Sequence, residues 1–422
     1  MTSPAPEPGA AAGLRVAWFG HAVGARADGL TTYSTEVVGG LRQRGAEVWF
    51  HHATADRALL LDDLPNQLAW QTWRFKTVTV PRRGFRPGLS RWLADTRPDV
   101  VHTSLSFTMA DGWLGSQARR AGAATVATFH LPFGRRGSAR EVVMRQLHRF
   151  WAPRLRPYQR VIVFSEDHRN RLSEAGVPRS TIEVLPNAVD TARFRPGVSE
   201  LRHRRLLGSG MVLGYAGRLD PEKGVRELLE GFRAADLGPE ARLLIAGRGA
   251  LERQVREAQR DVRVIYLGQL SSVSERCEFW RAVDLFCLPS SAEGLSIALL
   301  EAMASGCAVA ATPAGGSLAL PEVATELDPV ALSHSIANLL NNLHHRPGER
   351  ERQGRVAREE AVRHHGLAAM LDRLLAIYQD CQNLPPSGRP PVDRRDDVGS
   401  PLEPRVPEPR GRGLPGGGGV GG

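Results

Sequence analysis

The chain has 422 residues, 42% hydrophobic and 24% charged, which suits a globular protein of two or three domains with substantial cores. Its formal net charge is +10, but the basic residues are scattered without a zinc-finger or RNP-like pattern, which argues against nucleic acid and leaves a phosphate-bearing partner open. The four cysteines (277, 287, 307 and 381) show no CxxC spacing or paired histidine, which argues against a disulfide framework or zinc site and for reduced thiols in the cytoplasm.

Residues 1–13, MTSPAPEPGAAAG, have no basic start and apolar core, so no secretory signal is expected, and they read as a disordered leader. No apolar run approaches the roughly 18 residues of a membrane span. Short apolar runs then alternate with helical patterns: LRVAWFG (14–20), EVWFHHA (47–53), DVVHTSL (99–105), ATVATFH (124–130) and RVIVFSE (160–166) read as buried parallel strands, with helices over Thr31–Arg44 and Met109–Ala121 among the connections. The pattern restarts with MVLGYAGR (211–218), RLLIAGRG (242–249), RVIYLGQ (263–269), LFCLPS (285–290) and AVAAT (308–312). Repeated βα units in two sets predict an α/β fold of two doubly wound, Rossmann-like domains, 14–190 and 191–365, joined near the turn-rich PNAVDTARFRPG (186–197). A last helix over 366–383 is expected to pack back on the first domain. Residues 384–422, rich in Pro, Gly and Arg without an apolar period, should be disordered.

Ligands of open α/β sheets sit beyond the carboxyl ends of strands, where three motifs fall. GYAGRLDPEKGV (214–225) leads from a strand into the helix VRELLEGF. Gly217 and Gly224 allow close backbone approach, while Arg218 and Lys223 set two cations beside a helix N-terminus that already favours anions. Of the 55 Lys plus Arg residues only Lys76 and Lys223 are lysine, so a merely solvated charge here would be arginine. Arginine offers a planar fork and lysine a mobile point charge, and a diphosphate can use both; a surface loop with solvated charges is the plainer reading. In SSAEGLSIALLEAMASGCAVAAT (290–312), Glu293 precedes a helix and Glu301 lies eight residues on. Up to roughly 12 Å apart, they are too far for one acid/base pair but suit two ends of an extended ligand. Apolar neighbours predict a buried, hydrogen-bonded Glu301. IAGRGALERQ (245–254) places Gly247 and Gly249 at a strand-to-helix turn, weak evidence by itself.

Together these stretches resemble glycosyltransferase family 4. GYAGRLDPEKGV is similar to the family's phosphate loop; LLIAGRGALER, VIYLGQL and DLFCLPSSAEGLSIALLEAMASGCAVAAT occur in its order; and Glu293 and Glu301 match its E-x7-E motif. The resemblance covers about Leu14 to Gln382 and implies the GT-B fold, a retaining mechanism, a nucleotide-sugar donor, no metal and no cofactor. By position it implies that Arg218 and Lys223 hold the donor's phosphates, Glu301 binds the ribose, and Glu293 with Gly294, Leu295 and Ser296 contacts the transferred sugar. Leu270 borders the base through its backbone, Gly29 and Gly247 lie against the nucleotide, and His130 faces the sugar. Asp28 stands before Gly29 where the family has a second glycine, and the segment after Gly315–Gly316 is shortened by roughly ten residues. That shortening motivates an alternative: a non-catalytic relative that binds a nucleotide sugar or a protein partner. Two arginine- and aromatic-rich stretches, 70–92 and 135–160, suggest helical surfaces able to rest on the inner face of an anionic membrane, with a lipid or glycan acceptor.

Overall fold

The apolar runs of the first half pair side by side. The computed structural model describes residues 9–20, 29–54, 66–75, 78–81, 84–105, 110–130, 139–205, 207–291, 295–315 and 320–384. Strands β1 (Arg15–Phe19), β2 (Glu47–Thr54), β3 (Gln67–Phe75), β4 (Val78–Pro81), β5 (Val100–Leu105), β6 (Ala124–Phe129), β7 (Arg160–Val163) and β8 (Ile182–Val184) form one sheet. Their order among the described residues is β4-β3-β2-β1-β5-β6-β7-β8. Its centre is solvent-free on both faces: Val16, Ala17, Trp18, Val100 and Val101 are wholly buried, as a sheet covered by helices on both sides requires. The helices α1 (Gly29–Gln43), α2 (Phe85–Thr96), α3 (Asp111–Arg120), α4 (Ala139–Trp151) and α5 (Glu166–Glu174) connect these strands.

The edge departs from expectation. Residues 70–75 and 78–81 are not part of a helical surface; they belong to β3 and β4, which pair antiparallel, with Thr72 opposite Pro81. Closely spaced Trp, Thr, Phe and Val favour a pleated strand over a helix, and helix begins only at Phe85. The leader also ends sooner than expected. Ala11 is buried and its N–H donates to the Arg44 carbonyl at 3.0 Å, because a small residue fits under α1 and its backbone finds a partner there. Residues 1–8 and 385–422, expected to be disordered, lie outside the described residues.

The second sheet contains β9 (Val212–Ala216), β10 (Arg242–Ala246), β11 (Val264–Gly268), β12 (Leu285–Leu288), β13 (Ala308–Ala311) and β14 (Ala324–Glu326), all parallel, in the order β11-β10-β9-β12-β13-β14. With it go α6 (Glu200–Arg204), α7 (Val225–Ala234), α8 (Glu252–Ala258), α9 (Val273–Ala282), α10 (Ile297–Ala304), α11 (Leu332–His344) and α12 (Pro347–His364). The chain leaves the first lobe and returns to it at one place. The Val189 N–H donates to the His365 carbonyl at 2.8 Å, and the Leu367 N–H to the Val189 carbonyl at 2.9 Å.

Beyond this double crossing, α13 (Leu367–Asn383) joins the first lobe's core through Met370, Leu371, Leu374 and Tyr378. Arg44, 2% exposed, donates to the Ala368 carbonyl at 2.8 Å and pairs with Asp372 at 3.0 Å. Inside, His102 stacks on Trp18 with ring centres 4.0 Å apart and bridges the Tyr378 hydroxyl and Thr128 Oγ1, each at 2.7 Å.

Burial holds several such imidazoles neutral. It pushes His51 and His102 down to about 3 and His148 to about 4, with neighbouring His168 and Arg171 adding to the effect at His148. An unfolded histidine titrates near about 6.5, so below that pH the unfolded chain takes up protons that the native one refuses. The stability from these groups is therefore complete above about pH 6.5 and drains away as pH falls through the range down to about 3–4, by up to about 1.4 kcal/mol per histidine per pH unit. The urea midpoint should drop between about pH 7.5 and pH 5.5; an unchanged midpoint contradicts the burial of these rings.

Candidate functional site

The second sheet reverses its strand order between β9 and β12, which opens a crevice at their carboxyl ends. Three loops meet there, after β9, β10 and β12, and their backbones are tied to one another. The Leu219 N–H donates to the Arg248 carbonyl at 2.9 Å, the Leu251 N–H to the Leu219 carbonyl at 2.7 Å, and the Ser291 N–H to the Glu222 carbonyl at 2.8 Å. Glycine makes the approach feasible. Gly247 has φ +131° and a Cβ there would strike the Gly217 carbonyl oxygen; Gly224 has φ +69° and a Cβ would strike that of Pro289. Sequence motifs of this kind suggest close approach to a ligand, but at these two positions the near neighbour is the adjoining loop.

Lys223 ends a single 3-10 turn, Pro221–Lys223, immediately before α7, and is only 9% exposed. It is thus not a solvated surface charge. Arg218 differs: its side chain is 53% exposed and pairs with Asp220 and, at 3.0 Å, with Glu222. Exposed pairs of this kind stabilise by about 0–1 kcal/mol, so an incoming phosphate can redirect the guanidinium at little cost. The Tyr215 hydroxyl donates to the Arg218 carbonyl at 2.7 Å and fixes the loop's first bend.

Glu301 lies in α10 (IALLEAMA), a helix apolar on almost every side, and is 4% exposed. Its Oε2 accepts from Trp280 Nε1 at 2.9 Å and its Oε1 from Arg276 Nε at 3.1 Å. Burial raises its pKa, while Arg276 and the Trp280 hydrogen bond oppose the rise. Ser296 occupies the N-cap position of α10, and the Leu295 carbonyl accepts from Asn187 Nδ2 at 2.8 Å, so the segment connecting the lobes holds the entry to that helix. Leu270 packs against the core that contains Trp280.

From the first lobe, Gly29 opens α1 with empty space where a Cβ would stand. His130 directly follows β6, half-buried, with its ring edge-on to Tyr33 (4.9 Å) and tilted against Phe164 (5.0 Å). Asp28, Glu293, Gly294 and Gly316 lie outside the described residues. A cavity of about 470 Å³ lies between Pro221–Gly224 and the start of α11. It presents the carboxylates Glu222 and Glu227 and no Lys or Arg, which does not suit a diphosphate. Among the described residues no group of three His, Cys, Asp or Glu is placed to hold a metal.

The sequence alone did not point to Arg276, Trp280, Glu36 or Asn187. Arg276 and Trp280 are four apart on α9 and so share a face, but their distance of more than twenty residues from Glu301 gives no local signal. Asn187 lies in PNAVD, within the stretch read as the domain boundary.

Each lobe matches a known family description. Residues 27–193 match "Glycosyltransferase Family 4" and residues 210–342 match "Glycosyl transferases group 1". A GDP-mannose-dependent alpha-mannosyltransferase of Mycobacterium tuberculosis is 28% identical over 388 residues, covering 87% of this chain and 97% of that protein. A GDP-mannose-dependent monoacylated alpha-(1-6)-phosphatidylinositol monomannoside mannosyltransferase of Corynebacterium glutamicum is 31% identical over 50% of this chain, but the match spans only 59% of its length. Two solved structures share the fold at low identity. Anabaena HepE, crystallised with UDP, has a TM-score of 0.69 at 17% identity over 87% of this chain and 100% of its own. Sucrose-phosphate synthase of Thermosynechococcus elongatus has a TM-score of 0.70 at 19% identity over 87% of this chain and 98% of its own. The two facing doubly wound lobes are the GT-B architecture. With both lobes matched in order and one relative aligned nearly end to end, the chain belongs to glycosyltransferase family 4.

Proposed function

We propose that this chain moves a sugar from a nucleoside diphosphate donor to an acceptor hydroxyl, with retention at the anomeric carbon and without a metal ion. The observation that carries the reading is Lys223, a nearly buried lysine at the foot of α7, beside Arg218 in loops tied together at the switch point of the second sheet. Breaking the C1–oxygen bond builds negative charge on the departing diphosphate. An ammonium held in place and a guanidinium able to turn stabilise that charge more as it grows, which lowers the barrier. The acceptor hydroxyl attacks the face that the diphosphate leaves and gives its proton to a phosphate oxygen. Glu301 takes the ribose, the Leu270 backbone borders the base, and Glu293, Gly294 to Ser296 and His130 surround the sugar.

GDP-mannose is the first donor to test, since relatives that align with much of the chain are named for it. The acceptor is proposed to be a lipid at an anionic surface. Helix α4 exposes Val142, Val143 and Phe150 (49%, 65% and 58%) next to Arg145 and Arg149, so it offers an apolar face with a basic rim. No helix among the described residues is long and apolar enough to cross a membrane.

The experiment is donor turnover with labelled GDP-mannose and UDP-glucose, with and without EDTA, using phosphatidylinositol vesicles or soluble inositol phosphate as acceptor. Transfer to the vesicles that EDTA leaves unchanged and that yields the α-anomer supports the whole reading. Nucleotide binding without turnover of either donor replaces it with the non-catalytic relative.

A further inference from the structure

A string of alternating charges runs from the first lobe into the site. Glu36, two turns into α1 from Gly29, lies 3.3 Å from Arg193 of the connecting segment and 3.5 Å from Arg276 of α9. Arg193 in turn lies 3.5 Å from Asp190. Arg276 reaches on to Glu301 at 3.1 Å, and its guanidinium also lies over the Phe194 ring at 5.8 Å. One arginine thus touches a carboxylate of each lobe. Glu36 and Arg276 are each only about one-fifth exposed and Glu301 is less so, so water screens the string weakly.

Recognising a vicinal pair of hydroxyls asks Glu301 for two acceptor oxygens. A protonated carboxyl offers one fewer and presents a donor instead. The surroundings of Glu301 pull in both directions. Helix α10 brings no other charge. Helix α9 brings Arg276, the Trp280 N–H and the Cys277 thiol, α1 brings Glu36, and the connecting segment brings Arg193 near that thiol. Burial and the Glu36 charge both favour a proton on Glu301, and Arg276 is the cation in contact with it.

We propose that Arg276 is a positioning residue for the donor's ribose: held from the first lobe by Glu36, it keeps Glu301 an ionised acceptor in one orientation. The inference rests on Glu301 as the ribose partner in the function proposed above.

The test titrates GDP calorimetrically into the full chain at about pH 6 and about pH 8.5, comparing native protein with Arg276→Met, Arg276→Lys and Glu301→Gln. Each variant is read as its Kd relative to native at the same pH, so that titration of the phosphate itself cancels. Arg276→Met should bind about tenfold or more weakly at the lower pH and recover most of the loss at the higher, as its Glu301 gives up the proton. Arg276→Lys should restore a ratio that does not vary with pH, and Glu301→Gln should be weak at both. A loss in Arg276→Met that is equal at the two pH values, or no loss, overturns the proposal and marks Arg276 as structural. If native protein binds GDP but Glu301→Gln binds it equally well, the ribose assignment falls and the proposal with it. If native protein binds neither GDP nor, in a parallel titration, UDP, the functional reading itself is refuted; if it binds UDP alone, the same comparison is read with UDP.

Discussion

Replacing Lys223 with alanine is expected to lower kcat about 10²–10³-fold with a much smaller change in KM, because removing one preorganised donor to a developing anion costs about 2.7–4 kcal/mol of barrier. The site's geometry explains why the lysine should matter more than the arginine. Lys223 is confined by the Pro221–Lys223 turn, by Gly224 in the left-handed region and by near-complete burial, so its position varies little. Arg218 starts from exposed pairs with Asp220 and Glu222 and must exchange them for phosphate. Arg218→Ala should therefore lower kcat less than Lys223→Ala does. The measurement is steady-state turnover with whichever of GDP-mannose and UDP-glucose the native protein uses. Lys223→Met serves as a control that keeps the aliphatic stem in its buried place, and thermal melting verifies that both variants fold. A drop in kcat of less than about fivefold, in a protein that melts like native, would remove Lys223 from the transition state.

The parallel strands were legible because a strand buried on both faces has to be apolar nearly throughout, and LRVAWFG or RLLIAGRG carries that signature without any knowledge of its neighbours. The β3–β4 edge was not. Its tryptophans and Arg74 look the same on a basic helix as on an edge strand, and the antiparallel pairing of β4 with β3 is a tertiary choice. Ala11 shows a similar limit, since one alanine's burial depends on what α1 leaves beneath it. At the site, the sequence pointed to a buried Glu301 through its apolar neighbours, but not to what satisfies it. Arg276 and Trp280 reach it because β12 lies between β9 and β13 and brings α9 alongside α10. The glycines were visible as motifs, yet a motif does not distinguish a loop that cradles a phosphate from one that cradles another loop. That ambiguity has an experimental handle at Gly247.

Gly247→Ala is expected to destabilise the protein by about 3–5 kcal/mol, among the largest effects a single methyl can have. Two costs combine. The backbone sits at φ +131°, where a residue with a Cβ is strained by about 1–3 kcal/mol. The new methyl also meets the Gly217 carbonyl oxygen, a backbone atom that cannot swing aside as a side chain would. Gly217 is held in turn, since its N–H donates to the Ala246 carbonyl at 3.1 Å. Gly268→Ala separates the two costs: its φ is +73° and its Cβ would meet nothing within 4 Å, so only the backbone strain of about 1 kcal/mol applies. Urea unfolding of both variants against native protein measures the difference. If Gly247→Ala proves no worse than Gly268→Ala, the loops after β9 and β10 yield to one another and the packing described here is not rigid. If the larger loss appears, the surviving folded fraction should also bind nucleotide poorly, because the methyl pushes the loop that begins at Gly217 and carries Arg218 and Lys223. In that case the glycine serves the donor indirectly: it lets one loop brace the other, and the braced loop presents the cations.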